Sequence, residues 1–134
     1  MTLRKTLNNF LRPLGIRAER ANEWCAWDES KVIGYPKNKE GYYDENFMAH
    51  FTNKYPDIKC DEFIISILHE VGHCFNPTQE IEHDTEILEQ VASGDLPFET
   101  YFELPDEVAA TEWAVKYIRT HNDEIEKLER KLNL

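Results

Sequence analysis

Two histidines and a glutamate lie within five consecutive residues near the middle of the chain, in the order His69, Glu70, Val71, Gly72 and His73. On a helix, residues four positions apart lie on one face about one turn apart, so both imidazoles can bind the same metal ion. Glu70 projects beside them, where a carboxylate can take a proton from a water molecule that zinc has acidified. This H-E-x-x-H motif therefore predicts zinc ligands at His69 and His73 and a general base at Glu70.

A third metal ligand has to come from elsewhere, because catalytic zinc usually takes three protein ligands and keeps a fourth position open. Glu107 is the favoured residue: it shares a predicted helix face with Ala110, whose small side chain would let that helix approach the motif helix. Thr111, one turn further on, is placed to hydrogen-bond a ligand histidine. His83, ten residues beyond the second motif histidine, is the main alternative ligand.

Two helices must position these side chains. A helix at roughly 58–75 is predicted by apolar residues at helical spacing, with Asp57 or Asp61 as its cap and Asn76-Pro77 as its end; the apolar stripe comprises Ile64, Ile67, Leu68 and Val71. Pro105 at a first helical position, followed by acidic residues in the first turn, predicts the second helix. Glu107 then lies one turn before Ala110 and Thr111.

The rest of the chain predicts further helices and a small sheet. Helical patterns cover 2–12, 44–55, 78–91 and 122–134, and two short antiparallel strands are expected at 24–27 and 31–35. One functional interpretation, among several modes of peptide recognition, makes the strand around Val32 to Tyr35 an edge that would pair with an extended peptide. The aromatic segment 96–104 is expected to lie over the site as a loop. Together these elements predict an α+β fold.

Composition narrows the class of protein. The 134 residues are 41% hydrophobic and 12% aromatic, as expected for one folded domain, and the net charge of −11 argues against nucleic-acid binding. Cys25, Cys60 and Cys74 are odd in number and widely spaced, which indicates reduced thiols in the cytoplasm. The sequence contains no run of 18 apolar residues and no secretory signal pattern, so membrane insertion is not expected.

The two helical motifs together resemble a known family. His69-Glu-Val-Gly-His73 followed by Glu107-x-x-Ala110-x-x-Trp113-Ala114 is similar to the small bacterial and phage metallopeptidases typified by ImmA and IrrE, which carry H-E-x-G-H and then E-x-x-A-[ND]-x-F-A. The resemblance implies a gluzincin-type site with zinc on His69, His73 and Glu107, and cleavage of a regulatory protein in the cytoplasm. It is confined to these two helices, and within them Thr111 and Trp113 depart from the family pattern.

We therefore expect residues 1–134 to form a compact, zincin-like α+β metallopeptidase domain, with helices packed around a small sheet. The expected activity is Zn²⁺-dependent hydrolysis of peptide bonds in a protein substrate, with Glu70 as general base. A non-catalytic zincin-like protein that binds or inhibits a protein partner is the alternative. A third possibility is a stabilising zinc site closed by a fourth ligand, for which Cys74 and His83 are the nearest candidates in sequence. The sequence does not indicate the oligomeric state.

Overall fold

The computed structural model describes residues 2–134 and shows an α+β fold of seven α-helices and one small sheet within that range. In chain order the elements are α1 (Leu3–Leu11), β1 (Arg17–Ala21), β2 (Cys25–Trp27), β3 (Val32–Pro36), α2 (Glu45–Lys54), α3 (Glu62–Phe75), α4 (Ile81–Ala92), α5 (Phe98–Phe102), α6 (Pro105–Thr120) and α7 (Asn122–Leu132).

The sheet has the strand order β1-β3-β2, with β1 parallel and β2 antiparallel to β3. The predicted antiparallel pair is confirmed, but the interpretation of residues 32–35 as an edge is wrong. Every residue of β3 is buried, and β3 lies between two neighbours because β1, which the sequence analysis missed, covers its other side. In β1 only Ala18 is fully buried, and the charged side chains of Arg17, Glu19 and Arg20 hide the usual apolar alternation. The edges of the sheet are therefore β1 and β2.

Helix α3 is the central element, and every residue from Phe63 to Gly72 is buried. It starts at Glu62, later than predicted, because Asp61 caps it: the Phe63 backbone N–H donates to Asp61 Oδ1 at 2.8 Å. One hydrophobic cluster joins α3 to α2, α6 and α7, and a second joins it to α1 and the sheet. The motif is therefore carried by the most enclosed helix of the fold.

Helices α3 and α6 cross in direct backbone contact at Gly72. A Cβ atom added to Gly72 would lie 2.8 Å from Cα of Ala110 and would overlap the Ala110 carbonyl oxygen. Ala110 and Ala114 are fully buried on the facing side of α6. The prediction that small residues would let this helix approach the motif helix is confirmed.

Helices α4 and α5 form the least anchored part of the fold. No residue of α4 is buried, and Ile81 is 68% exposed. The segment 96–104, predicted to be a loop, contains the short helix α5 instead. None of the helices in the described part of the chain is long and apolar enough to cross a membrane.

Candidate metal centre

The structure brings the three predicted metal ligands together. His69 and His73 project from α3 and Glu107 from the first turn of α6. Oε1 of Glu107 lies 3.3 Å from Nε2 of His69, and its Oε2 lies 2.7 Å from Nε2 of His73. The two Nε2 atoms are 3.1 Å apart. Four potential donor atoms from two helices thus face one point.

His69 is held in a defined orientation by its other ring nitrogen. Its Nδ1 lies 2.9 Å from Oγ1 of Thr111, one turn after Glu107, and the Phe47 ring packs against the imidazole with centroids 4.9 Å apart. When Nδ1–H donates to Thr111, the lone pair of Nε2 is available to a metal. The predicted hydrogen bond between Thr111 and one of the motif histidines is confirmed.

The carboxylate of Glu107 and the imidazole of His73 shift each other's protonation in opposite directions. Burial alone would raise the pKa of Glu107, but its hydrogen bonds with His69 and His73 lower the pKa to about 2. Burial alone would lower the pKa of His73, but the hydrogen bond to Glu107 and the surrounding negative charge raise it to about 9. In the metal-free protein at neutral pH the pair is therefore an ion pair.

Glu70 is only 8% exposed, and its Oε2 has no hydrogen-bond partner among residues 2–134. Burial is the main cause that raises the pKa of this carboxyl, although the neighbouring His69 and His73 act in the opposite sense. A buried, unpartnered carboxylate oxygen is costly in a folded protein unless something else binds it. Its Oε2 therefore needs a hydrogen-bond donor from outside the described residues, such as a water molecule or a ligand.

These side chains line a cleft of about 370 Å³. The motif residues Glu70 and His73 share it with Glu107, while the edge strand β2 and the helices α4 and α5 supply further walls. The remaining lining residues are Trp24, Cys25, Ala26, Asp28, Thr78, Ile81, Asp84, Thr85, Leu88, Tyr101 and Asp106. The cleft thus opens beside the predicted metal ligands and along an edge strand.

Three residues of the cleft were missed from the sequence: Asp106, Asp84 and Tyr101. A carboxylate oxygen of Asp106 lies within 4.8 Å of donor atoms of both His73 and Glu107. Burial and the adjacent Asp106 carboxyl raise the pKa of Asp84 to about 6, and burial raises the pKa of Tyr101 as well. Asp106 could have been noticed, since it precedes Glu107. Nothing in the acidic pattern of 78–91 indicated that Asp84 would face the site.

The alternative ligands do not reach the centre. His83 is exposed on α4 and belongs to neither group of close potential ligands found among the described residues. Cys74 is buried on the side of α3 that packs against the sheet, with Sγ 3.9 Å from the carbonyl oxygen of Val32. Neither residue closes the site in this structure.

Comparisons of the chain with models of protein families, with curated proteins and with solved structures find no match. Function therefore has to be inferred from the geometry of the site.

Proposed function

We propose that this chain is a zinc-dependent metallopeptidase with a zincin-like site, in which His69, His73 and Glu107 hold the ion. The observation that carries the proposal is that both Nε2 atoms lie within 3.3 Å of one carboxylate that comes from another helix. Two imidazoles and one glutamate are a known ligand set of catalytic zinc in peptidases, and they leave a position for water or substrate. The resemblance of the two helical motifs to the ImmA and IrrE group supports the same assignment.

The unpartnered Oε2 of Glu70 gives a second reason to assign catalysis. Zinc at this site would supply Lewis acidity for the scissile carbonyl and would acidify a water molecule. Glu70 would accept a proton from a water molecule that adds to the scissile carbonyl carbon and would return that proton to the amine nitrogen of the leaving group as the C–N bond breaks. Burial strengthens Glu70 as a base, because it raises the pKa of this carboxyl.

The position of β2 favours a peptide as the substrate. This strand pairs with β3 on one side only, and its residues Cys25 and Ala26 line the cleft beside Glu70 and His73. The unpaired backbone groups of an edge strand can add an extended peptide by main-chain hydrogen bonds. β2 replaces the residues around Val32 to Tyr35 in this role, and a protein segment in extended conformation is the proposed substrate.

Metal content and peptide cleavage test the assignment together. Purified wild type should contain about one zinc, and His73→Ala and Glu107→Ala should lose it. Glu112→Gln is the matched control, because Glu112 is exposed on the same helix as Glu107. Glu70→Gln should keep zinc and lose turnover of a peptide library. Zinc retained by Glu107→Ala, or library cleavage at the wild-type rate by Glu70→Gln, would rule out the proposed roles.

A second candidate function is a non-catalytic protein that binds or inhibits a partner. The observation in its favour is that α4 exposes Ile81 and Leu88, which are 68% and 47% exposed, at the mouth of the cleft. Apolar side chains in such a position can serve as a protein-binding surface. Partner binding and biological effect that survive unchanged in Glu70→Gln would favour this candidate over hydrolysis.

A further inference from the structure

One wall of the cleft carries two acidic side chains that come from different helices and face each other. Asp84 projects from α4 and Asp106 from the start of α6, and the carboxyls are close enough to interact directly. Thr78 donates from Oγ1 to Oδ2 of Asp106 at 3.0 Å. Oδ2 of Asp84 is inaccessible to solvent and has no hydrogen-bond partner in the described part of the chain. This wall therefore concentrates negative charge, and of the described residues that line the cleft only His73, which is already paired with Glu107, carries positive charge in the metal-free protein.

Apart from His73, no cationic side chain of residues 2–134 lines the cleft. Asp28 adds a further acid, and the lining, taken over the described residues, includes neither lysine nor arginine. Glu70, which is 8% exposed and has an unpartnered Oε2, is oriented into the same cleft. Buried acceptors without donors are costly and are usually satisfied by something bound. Oδ2 of Asp84, like Oε2 of the proposed general base, thus lacks a hydrogen-bond donor among the described residues.

We propose that Asp84 and Asp106 form a subsite for a cationic group of the substrate, beside the bond that is cleaved. This inference rests on the proposed peptidase function and specifies its substrate. A carboxylate oxygen of Asp106 lies within 4.8 Å of donor atoms of His73 and Glu107, so a cation held there belongs to a substrate residue next to the scissile bond. The charge-assisted hydrogen bonds of such a cation would satisfy both carboxyls.

Two substrate groups share this chemistry: the free α-amino group of a peptide, and the side chain of lysine or arginine. The apolar side chains of Ile81, Leu88 and Trp24 line the same cleft and could cover the methylene groups of a long basic side chain. An α-amino group would instead make the enzyme act at the end of a peptide. Both sources require the same acidic pair.

Cleavage of matched peptides by the zinc-loaded protein tests the subsite. The peptides differ only in one residue beside the scissile bond, which is lysine, arginine, norleucine or glutamate, and each has a free or an acetylated N-terminus. We expect kcat/KM to favour the cationic member over its neutral counterpart by about tenfold or more, as for a charge-assisted hydrogen bond. Asp84→Asn should reduce this ratio towards one. Glu86→Gln, an exposed charge removed from the same helix, should leave the ratio unchanged.

Calorimetric binding gives a readout that does not depend on turnover. The probes are N-acetyl-lysinamide, norleucinamide and N-acetyl-norleucinamide, which carry a side-chain cation, an α-amino cation and no cation. Wild type should bind at least one of the first two more tightly than the third, and Asp84→Asn and Asp106→Asn should lose the difference. Circular dichroism and zinc content of both variants show whether each variant remains folded and loaded.

The outcomes separate the subsite from the peptidase function. Loss of cleavage on acetylation of the N-terminus identifies the α-amino group, whereas preference for internal lysine or arginine identifies the side chain. Zinc-dependent cleavage without preference for a cation overturns the subsite and leaves the peptidase function standing. Cation binding that depends on Asp84 in a protein that cleaves no peptide overturns the peptidase function. A second zinc ion lost in Asp84→Asn would make the acidic pair a metal site and would also overturn the subsite.

Discussion

Zinc binding should release one proton from His73 near neutral pH and should therefore strengthen as the pH rises. Nε2 of His73 lies 2.7 Å from Oε2 of Glu107, and this contact with the surrounding negative charge outweighs burial and raises the pKa of His73 to about 9. A histidine ligand must be neutral to bind a metal. At pH 7 only about 1 in 100 metal-free molecules would have neutral His73, so the apparent affinity should be about a hundredfold lower than above pH 9.

Chelator competition at half-unit intervals from pH 6.5 to 9 measures this dependence, and calorimetry in buffers of different ionisation enthalpy counts the protons released. We expect the affinity to rise by about tenfold per pH unit below the pKa of His73. Glu107→Gln should bind zinc more weakly and show a shallower pH dependence, because the group that raises the pKa of His73 is gone; Glu112→Gln should behave as wild type. An affinity that is constant over this range, with no proton release, would refute the reasoning.

The same pair gives the metal-free protein a pH dependence of opposite sign. The pKa of His73 is raised from 6.5 to about 9 in the folded protein, so the stabilisation is complete below pH 6.5 and is lost as the pH rises towards 9. The thermal midpoint without metal should fall over this interval, while the midpoint gain on adding zinc should grow. A metal-free midpoint that rises between pH 6.5 and 9 would contradict the assignment of this pKa.

Three further predictions test the residues and the helix that surround the proposed metal ligands. Gly72→Ala should weaken zinc binding and lower the free energy of unfolding in urea by about 1–3 kcal/mol. The reason is that the new methyl group would lie 2.8 Å from Cα of Ala110 and force α3 and α6 apart. Unchanged stability would show that the helices can separate freely. Thr111→Val removes the hydroxyl oxygen that lies 2.9 Å from Nδ1 of His69 and orients its ring. Zinc affinity, measured by chelator competition, should fall by about 10–100-fold. Wild-type affinity in this variant would exclude an orienting role for Thr111. Backbone amides of α4 should exchange with deuterium faster than those of α3, because α4 has no buried residue. Equal protection of the two helices would mean that α4 is more stable against local unfolding than its exposure indicates.

The approach of His69, His73 and Glu107 could be predicted from the sequence because the information for it is local. The spacing of His69 and His73 fixes their common face on any helix, and the apolar run around them makes a helix the expected element. Ala110 and Thr111 each lie about one turn after Glu107 on α6, so a single prediction of helix packing placed all three towards the motif helix. The direct contact of Gly72 with Ala110 is the physical result of that pattern.

The walls of the cleft could not be predicted in the same way, because they depend on contacts between distant segments. β3 became a central strand through its pairing with β1, whose charged residues Arg17, Glu19 and Arg20 conceal the strand pattern. Helix α4 has an apolar stripe in its sequence, yet Ile81 and Leu88 remain largely exposed. In the structure its Asp84 lies beside Asp106, although the two residues are 22 positions apart in the printed sequence.

Whether the proposed zinc site would be open or closed depends on Asp106. A closed, stabilising site needs a fourth protein ligand, and His83 and Cys74 lie away from the centre. Asp106 is the nearest remaining acid in the described chain, apart from Glu70, with an oxygen within 4.8 Å of donor atoms of His73 and Glu107.

The contacts of Asp106 argue against a ligand role, because Thr78 donates to its Oδ2 and Asp84 faces the same carboxyl. Asp106→Asn should therefore keep about one zinc per chain with nearly wild-type affinity and change the preference for cationic peptides. A loss of zinc comparable to that of Glu107→Gln would instead make Asp106 a fourth ligand. In that case the site would have no free position for a substrate carbonyl, and the non-catalytic binding protein would become the better interpretation.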